Sequence, residues 1–377
     1  MLDEKLEFEG LVGVGRVQLD LVPNQHIYTF IGANGVGKTK TLEALFQVLF
    51  FSCELTKGAL SGFGRNDFRF QKYLKHGQSE LAISIDDVRG NGSSALYNAF
   101  SGLTHTQPVI FLGAQARGIV KRNYRASGEH LGALSQRREK YFTATLEKMR
   151  SDFGSMNMEN SIEEWFVTLA RSSNPYQKKE DNREIEIKTV IRLLHEIDSR
   201  IDPEFLEISG DDRVSLKIEG QKRELNQLSS GFTSILKLIQ AIVSGYGYFT
   251  NEVQLQNVKG VVLIDEIESH LHLTWQATII PLLKKLFPNT TFYITTHSSV
   301  VLSQLKEGEA YTLYRNDDGI VKTRIVSAPN KAALVDILKD VFQVDLNQMK
   351  LDNSSVDDQE DAKQSLLALL KQQENKK

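Results

Sequence analysis

The sequence predicts an α/β fold, and three observations predict it. Runs of apolar β-formers, "QHIYTFIG", "VVLIDE" and "TFYITTHS", each end in glycine or polar residues. Segments with apolar residues every three or four positions follow those runs, as helices do. A glycine-rich loop, "GANGVGKT", separates the first run from such a segment, "KTKTLEALFQVLFFS". Of 377 residues 41 % are hydrophobic and 25 % charged, enough for one large core or two modest ones.

The elements follow in order. Residues 5–31 read as short strands, and the helix from Lys38 comes next. Residues 57–78, rich in Gly, Lys, Arg and Phe, read as loop with a short helix. "ELAISIDD" and "SALYNAF" flank "VRGNGS", the pattern of a hairpin. "QPVIFLGAQARG" reads as a buried strand entering a loop. Residues 129–205 carry helix-period apolar positions on a charged background and are expected to form an inserted helical subdomain, and a second hairpin around "GDD" follows it. A helix begins near Ser229, because a serine oxygen can accept a bond from an unpaired N–H of the first turn. Strand "GVVLIDE", a helix from Leu273 to Leu286 kinked or broken by Pro281, and strand "TTFYITTHS" come next. A small β unit over 309–327 and the helix "KAALVDILKDVF" precede a polar tail. The expected divisions are thus 1–128, 129–205, 206–345 and 346–377.

Composition narrows the setting. Net charge is −3 and the isoelectric point about 6.3, so no global basic field announces a nucleic-acid binder. Cys53 is the only cysteine, which excludes an internal disulfide and a cysteine zinc cluster. The start, "MLDEKLEFEG", has no apolar stretch of a secretory signal, and "TLEALFQVLFF" is too short to span a bilayer, so a reducing cytoplasmic setting is expected.

Three motifs carry chemistry. In "GANGVGKT" the strand and helix on either side supply the context of a phosphate-binding P-loop. Its glycines, Gly32, Gly35 and Gly37, allow backbone N–H groups to face phosphate oxygens, with Asn34 between them. Lys38 would reach the β- and γ-phosphates, Thr39 would bind Mg2+, and Thr41 is a further candidate contact. "VVLIDEIESHLH" delivers two acids to a strand end: Asp265 would hold Mg2+ through water and Glu266 would take a proton from the attacking water. "TFYITTHSSV" ends its strand at His297, placed to meet a γ-phosphate and that water. His270 and His272, two residues apart, lack metal-ligand spacing and are read as loop residues.

P-loop, serine-serine-glycine, acid pair and histidine stand in the order of the ATP-binding cassette ATPases, which residues 5–305 resemble. The resemblance implies that Ser229, Ser230 and Gly231 open a helix whose N-terminus faces ATP bound by a second protomer. Gln115, after "VIFLGA", matches the family's glutamine loop better than Gln136, which falls in the helical insert. Arg117 and Lys121 would face phosphate, a partner, or simply solvent. "DEIESHLHLTWQ" is similar to the group that holds RecF-type, SMC-like and OLD ATPases, and more specifically to ATPase subunits of bacterial anti-phage modules of the Septu, PARIS and retron types. Ile267 stands where proline is usual, and Phe232-Thr233 replace the common acidic-glutamine pair.

About 80 residues follow His297, with no "DxD" acid constellation and no HNH pattern. The resemblance therefore implies an ATP hydrolase without its own effector. It would dimerise around ATP and Mg2+ and control a separate nuclease or toxin. Two alternatives stand beside it. One is a DNA-repair or chromosome-associated ATPase gripping nucleic acid through "KGALSGFGRNDFRFQKYLKHG" and "RGIVKRNYR"; the other is an ATP-bound scaffold that does not hydrolyse.

Overall fold

The strand Ile27–Ile31 (β3) is buried at every position, which explains why its sequence reads as continuous apolar β-formers rather than alternating. It lies inside a ten-stranded mixed sheet of the computed structural model. The structure describes residues 5–56, 58–59, 63–76, 81–85, 98–119, 132–174, 176–178, 181–342, 344–346 and 348–349. The remaining strands of this sheet are Lys5–Leu11 (β1), Gly15–Leu19 (β2), Lys72–His76 (β4), Leu81–Ser84 (β5), Val109–Leu112 (β6), Gly260–Ile264 (β10), Thr290–Thr295 (β11), Ala310–Arg315 (β12) and Val321–Ile325 (β13). Their order is β5-β4-β1-β2-β13-β12-β3-β11-β10-β6. From β12 to β6 all neighbours are parallel, so the ends of β3, β6, β10 and β11 open on one edge. The β5-β4-β1-β2 strands pair antiparallel.

Helix Lys38–Ser52 (α1) leaves the loop after β3 and is buried over nearly its whole length, which suits its apolar run. Phe46 packs against Phe111 and Phe153, and Phe50 against Phe142. The core thus joins α1, β6 and the helix Leu134–Ser151 (α2). Ile162–Ser172 (α3) and Glu184–Ile197 (α4) follow α2. A second sheet holds Ile201–Ile208 (β7), Val214–Ile218 (β8) and Gln221–Glu224 (β9), all antiparallel, one strand more than the expected hairpin. Ser230–Phe249 (α5) is the longest described helix, at 20 residues. Residues 1–331 form one compact unit and 332–377 another, the latter containing Leu334–Asp340 (α9).

Two further expectations change. Residues 57–78 contain a strand, β4, as well as the short 3-10 turn Arg65–Asp67. The phenylalanines of that stretch, Phe63, Phe68 and Phe70, are buried in the core instead of lining a surface, because they pack against Phe51 and Phe8. The expected "VRGNGS" hairpin lies outside the described residues, and the described partner of β5 is β4. The helix from Leu273 is broken into Leu273–Gln276 (α6) and Ile279–Leu286 (α7). The break falls at Ala277 and Thr278, ahead of Pro281. Proline sits in the first turn of α7, where an N–H would have no helical partner. The short helix Ser299–Leu302 (α8) follows β11. Among the described residues no helix is long and apolar enough to cross a membrane.

Candidate functional site

The loop Gly32–Gly37 connects β3 to α1 with Gly32, Gly35 and Gly37 all at positive φ (143°, 77° and 112°). At Gly37 an added Cβ would lie 2.8 Å from Val14 Cγ1, so the turn between β1 and β2 closes against the loop. At Gly35 an added Cβ would meet nothing, and Asn34 and Gly35 are exposed at the loop's outer surface. Lys38 is buried, and its ammonium donates to the carbonyls of Gly32 (2.9 Å) and Ala33 (3.1 Å), curling the loop around its own charge. Burial holds its pKa below the usual lysine range, against the pull of Asp265, Glu266 and Glu268.

Across the sheet edge, Thr39 Oγ1 donates to Asp265 Oδ1 at 3.0 Å, joining residues 226 apart in sequence. Thr295 Oγ1, from the end of β11, donates to the same oxygen at 2.6 Å. Burial pushes the Asp265 carboxyl up from its ordinary value, and the Thr295 and Thr39 hydroxyls work against that. The hydroxyl of Thr39 and carboxylate of Asp265 are hard oxygen donors at the mouth of a P-loop, a donor set that suits Mg2+. Thr41 differs: it is fully buried and its hydroxyl has no partner, so the structure does not bring it to the loop's outer surface.

Glu266 adopts a left-handed backbone, φ 46°, which is rare for a residue with a side chain. Its N–H donates to Thr295 Oγ1 (2.8 Å), and its carboxylate accepts from Ser269 Oγ (3.2 Å). His297 is exposed just beyond β11. Its N–H donates to Glu268 Oε1 (2.6 Å), whose other oxygen accepts from Thr296 Oγ1 (2.7 Å). Glu268 is thus a third acid of the site that the sequence reading passed over. The spacing offered one signal: a carboxylate two residues after Glu266, on the same loop.

Ser229 is the N-cap of α5, its Oγ accepting from the Phe232 N–H at 3.3 Å. Ser230 and Gly231 are the first two residues of the helix, and a Cβ at Gly231 would lie 3.0 Å from the His272 ring. Gln115 follows β6, exposed, with its N–H donating to Gly154 O (2.9 Å). Gln136 instead accepts from the Ala133 N–H at the start of α2, a capping role. Arg117 does not face phosphate or solvent: it is fully buried and its guanidinium meets main-chain carbonyls. Burial depresses its pKa to about 10, so it stays a cation at neutral pH. Lys121 lies outside the described residues. His270 and His272 join no group able to hold a metal among the described residues.

Comparison with known proteins gives a consistent set of likenesses. Residues 27–303 match the family described as "AAA domain, putative AbiEii toxin, Type IV TA system". The chain is 23 % identical over 364 residues to the Septu protein PtuA of Bacillus thuringiensis, covering 91 % of this chain and 84 % of that protein. It is 24 % identical to a Septu protein PtuA of Bacillus mycoides, over 84 % of this chain but 41 % of that protein's length. A stretch of 76 residues is 47 % identical to the Retron Ec83 probable ATPase of Escherichia coli, 20 % of this chain and 14 % of that protein. Among solved structures, an Smc head bound to the C-winged helix domain of ScpA aligns with a TM-score of 0.46 at 15 % identity, over 86 % of this chain and 97 % of that one.

Proposed function

Because the chain belongs to this AAA-domain family, we propose that it binds and hydrolyses ATP and uses nucleotide-dependent pairing of two copies as a switch. The observation that carries the reading is the hydrogen bond from Thr39 to Asp265. It joins the P-loop helix to the acid pair at the edge where a parallel sheet offers strand ends to a ligand.

In this reading Gly32, Asn34, Gly35 and Gly37 supply the phosphate cradle, and Lys38 exchanges its two carbonyl partners for phosphate oxygens. Thr39 and Asp265 would hold Mg2+, which neutralises phosphate charge when bound. Glu266 takes the proton of the attacking water. His297, held at its backbone by Glu268, faces the γ-phosphate side, and Gln115 approaches from β6. Ser229, Ser230 and Gly231 present the N-terminus of α5 to the ATP of a second copy, where a helix end favours an anion. Similarity to Septu PtuA and to retron ATPases supports a role in an anti-phage module, with a separately encoded nuclease or toxin under its control. The nucleic-acid alternative loses part of its support, since Phe63, Phe68, Phe70 and Tyr73 of its first segment are buried in the core, while its second segment lies largely outside the described residues.

Phosphate release and ATP binding test the reading. Lys38→Ala abolishes binding, while Glu266→Gln binds ATP but turns over about 10²–10⁴-fold more slowly. Wild-type turnover in Glu266→Gln would refute the assigned base, and an inactive wild type would leave the scaffold alternative. Ser230→Arg keeps monomer binding but blocks the ATP-driven dimer seen by light scattering. Normal dimers would sink the trans contact. Glu266→Gln protein locked with ATP, used as bait in host lysate, identifies the effector.

A further inference from the structure

We propose that Arg117 is a positioning residue for Glu266: it fixes the backbone on either side of that acid. The inference rests on the ATPase reading above. Strands β6 and β10 pair in register as far as Leu112 and Ile264, and one more bond follows, from the Asp265 N–H to Leu112 O (3.0 Å). Beyond it the strands part, and the carbonyls that would have continued the ladder need other donors.

The Arg117 guanidinium fills that fork. Nη2 donates to Gly113 O (2.7 Å) and Asp265 O (2.6 Å), with Leu112 O at 3.4 Å, and Nη1 donates to Glu266 O (2.7 Å). Side-chain donors thus bridge two buried strand ends, where a planar fork suits the task better than a lysine point charge. No carboxylate oxygen takes any of these bonds, so the side chain holds the backbone of the acids and leaves their oxygens to the site.

Glu266 makes that hold consequential. Its left-handed φ of 46° lies well above the relaxed right-handed backbone in energy and persists only if neighbours enforce it. Arg117 and the Ser269 N–H (2.9 Å) hold its carbonyl, and Thr295 holds its N–H. Loosening the carbonyl lets the peptide rotate and swings the carboxylate away from where it must take a proton. The loop that carries Arg117 is itself anchored. Buried Lys237, two turns into α5, donates to Ala116 O (2.8 Å) and Met158 O (3.1 Å), and Ala116 has a φ of 62°. The helix that begins at Ser230 and the acid pair therefore share one fixed loop.

The test compares full-length wild type, Arg117→Ala, Arg117→Lys, Glu266→Gln and the Arg117→Ala/Glu266→Gln double variant in steady-state ATP hydrolysis, each with a thermal-unfolding control. Arg117→Ala lowers kcat about 10²-fold, the cost of a displaced catalytic group, while KM for ATP stays within about threefold. Arg117→Lys falls between the two. Added to Glu266→Gln, Arg117→Ala costs less than about twofold more, because its effect passes through that carboxylate. A folded Arg117→Ala protein with wild-type kcat overturns the inference, as does a loss that multiplies in full onto Glu266→Gln. If Arg117→Ala does not fold, Arg117→Lys decides by the same kcat and KM criteria. Failure of the ATPase reading is distinct: it shows as an inactive wild type or an active Glu266→Gln.

Discussion

Replacing Gly32 with alanine puts a number on how tightly the candidate site depends on its first residue. Gly32 ends β3 and opens the loop at φ 143°, a conformation that side chains avoid. A methyl there would lie 2.5 Å from the Leu313 carbonyl oxygen, about 0.5 Å short of the 3.0 Å that real Cβ contacts respect. That oxygen is backbone on β12, which pairs with β3 at Thr312 and Ile31, so it yields only if the ladder opens. The φ strain costs about 1–3 kcal/mol and a strained ladder bond about 1 kcal/mol more. If the loop absorbs the strain, its N–H groups turn from the phosphate position and ATP binds about 30- to 700-fold more weakly. If the sheet absorbs it, the unfolding midpoint falls by several degrees instead. Titration with a fluorescent ATP analogue and thermal unfolding together capture both routes. Wild-type affinity with a wild-type midpoint would refute the reasoning.

Two further predictions concern stability. Glu186, Arg183 and Arg137 are all buried, and Arg183 Nε donates to Glu186 Oε1 at 2.7 Å. Glu186→Gln removes the buried counter-ion and costs about 3–5 kcal/mol in urea unfolding. Adding Arg183→Met recovers part of that loss, and a fully additive double variant would show that the pair is not coupled. Glu7 gives the pH dependence. Burial raises its pKa, but bonds from Arg16, Gln18 and His76 outweigh this and hold it below its ordinary value of 4.5. A carboxylate with a depressed folded value stabilises the fold above pH 4.5 and loses that contribution as pH falls through the folded value. Glu7→Gln therefore lowers the unfolding midpoint near neutral pH, and the gap to wild type narrows below pH 4. A gap that stays constant to pH 3 would refute the pairing.

Much of the site was legible because its parts are locally encoded. Strand β3, the glycine loop and α1 are contiguous, and each residue type states its own backbone preference. Ser229 at the head of α5 is legible for the same reason, since a cap bonds within three residues of itself. The acids just after β10 and the histidine just after β11 announce themselves at the ends of apolar runs. Strand β4 was not legible: "KYLKH" has too little alternation to separate it from loop, and pairing with β1 makes it a strand. The same pairing draws Phe70 and Tyr73 onto Phe8, so aromatics in a basic stretch become core.

Arg117 and Glu268 mark the boundary most sharply. Nothing near Arg117 in sequence says that it is buried, because its partners include carbonyls 148 and 149 residues away. Nothing near Glu268 says that it holds the backbone of His297, 29 residues on. By itself the sequence determined the glycine loop, the Ser229 cap and the apolar strands, since hydrogen bonds and periodicities over a few residues fix them. Only the tertiary structure decided that Thr39 meets Asp265, that Arg117 ties two strand ends together, and that Glu266 takes a left-handed backbone. Those features depend on which strands lie side by side, and that neighbourhood is set by burial across the whole chain.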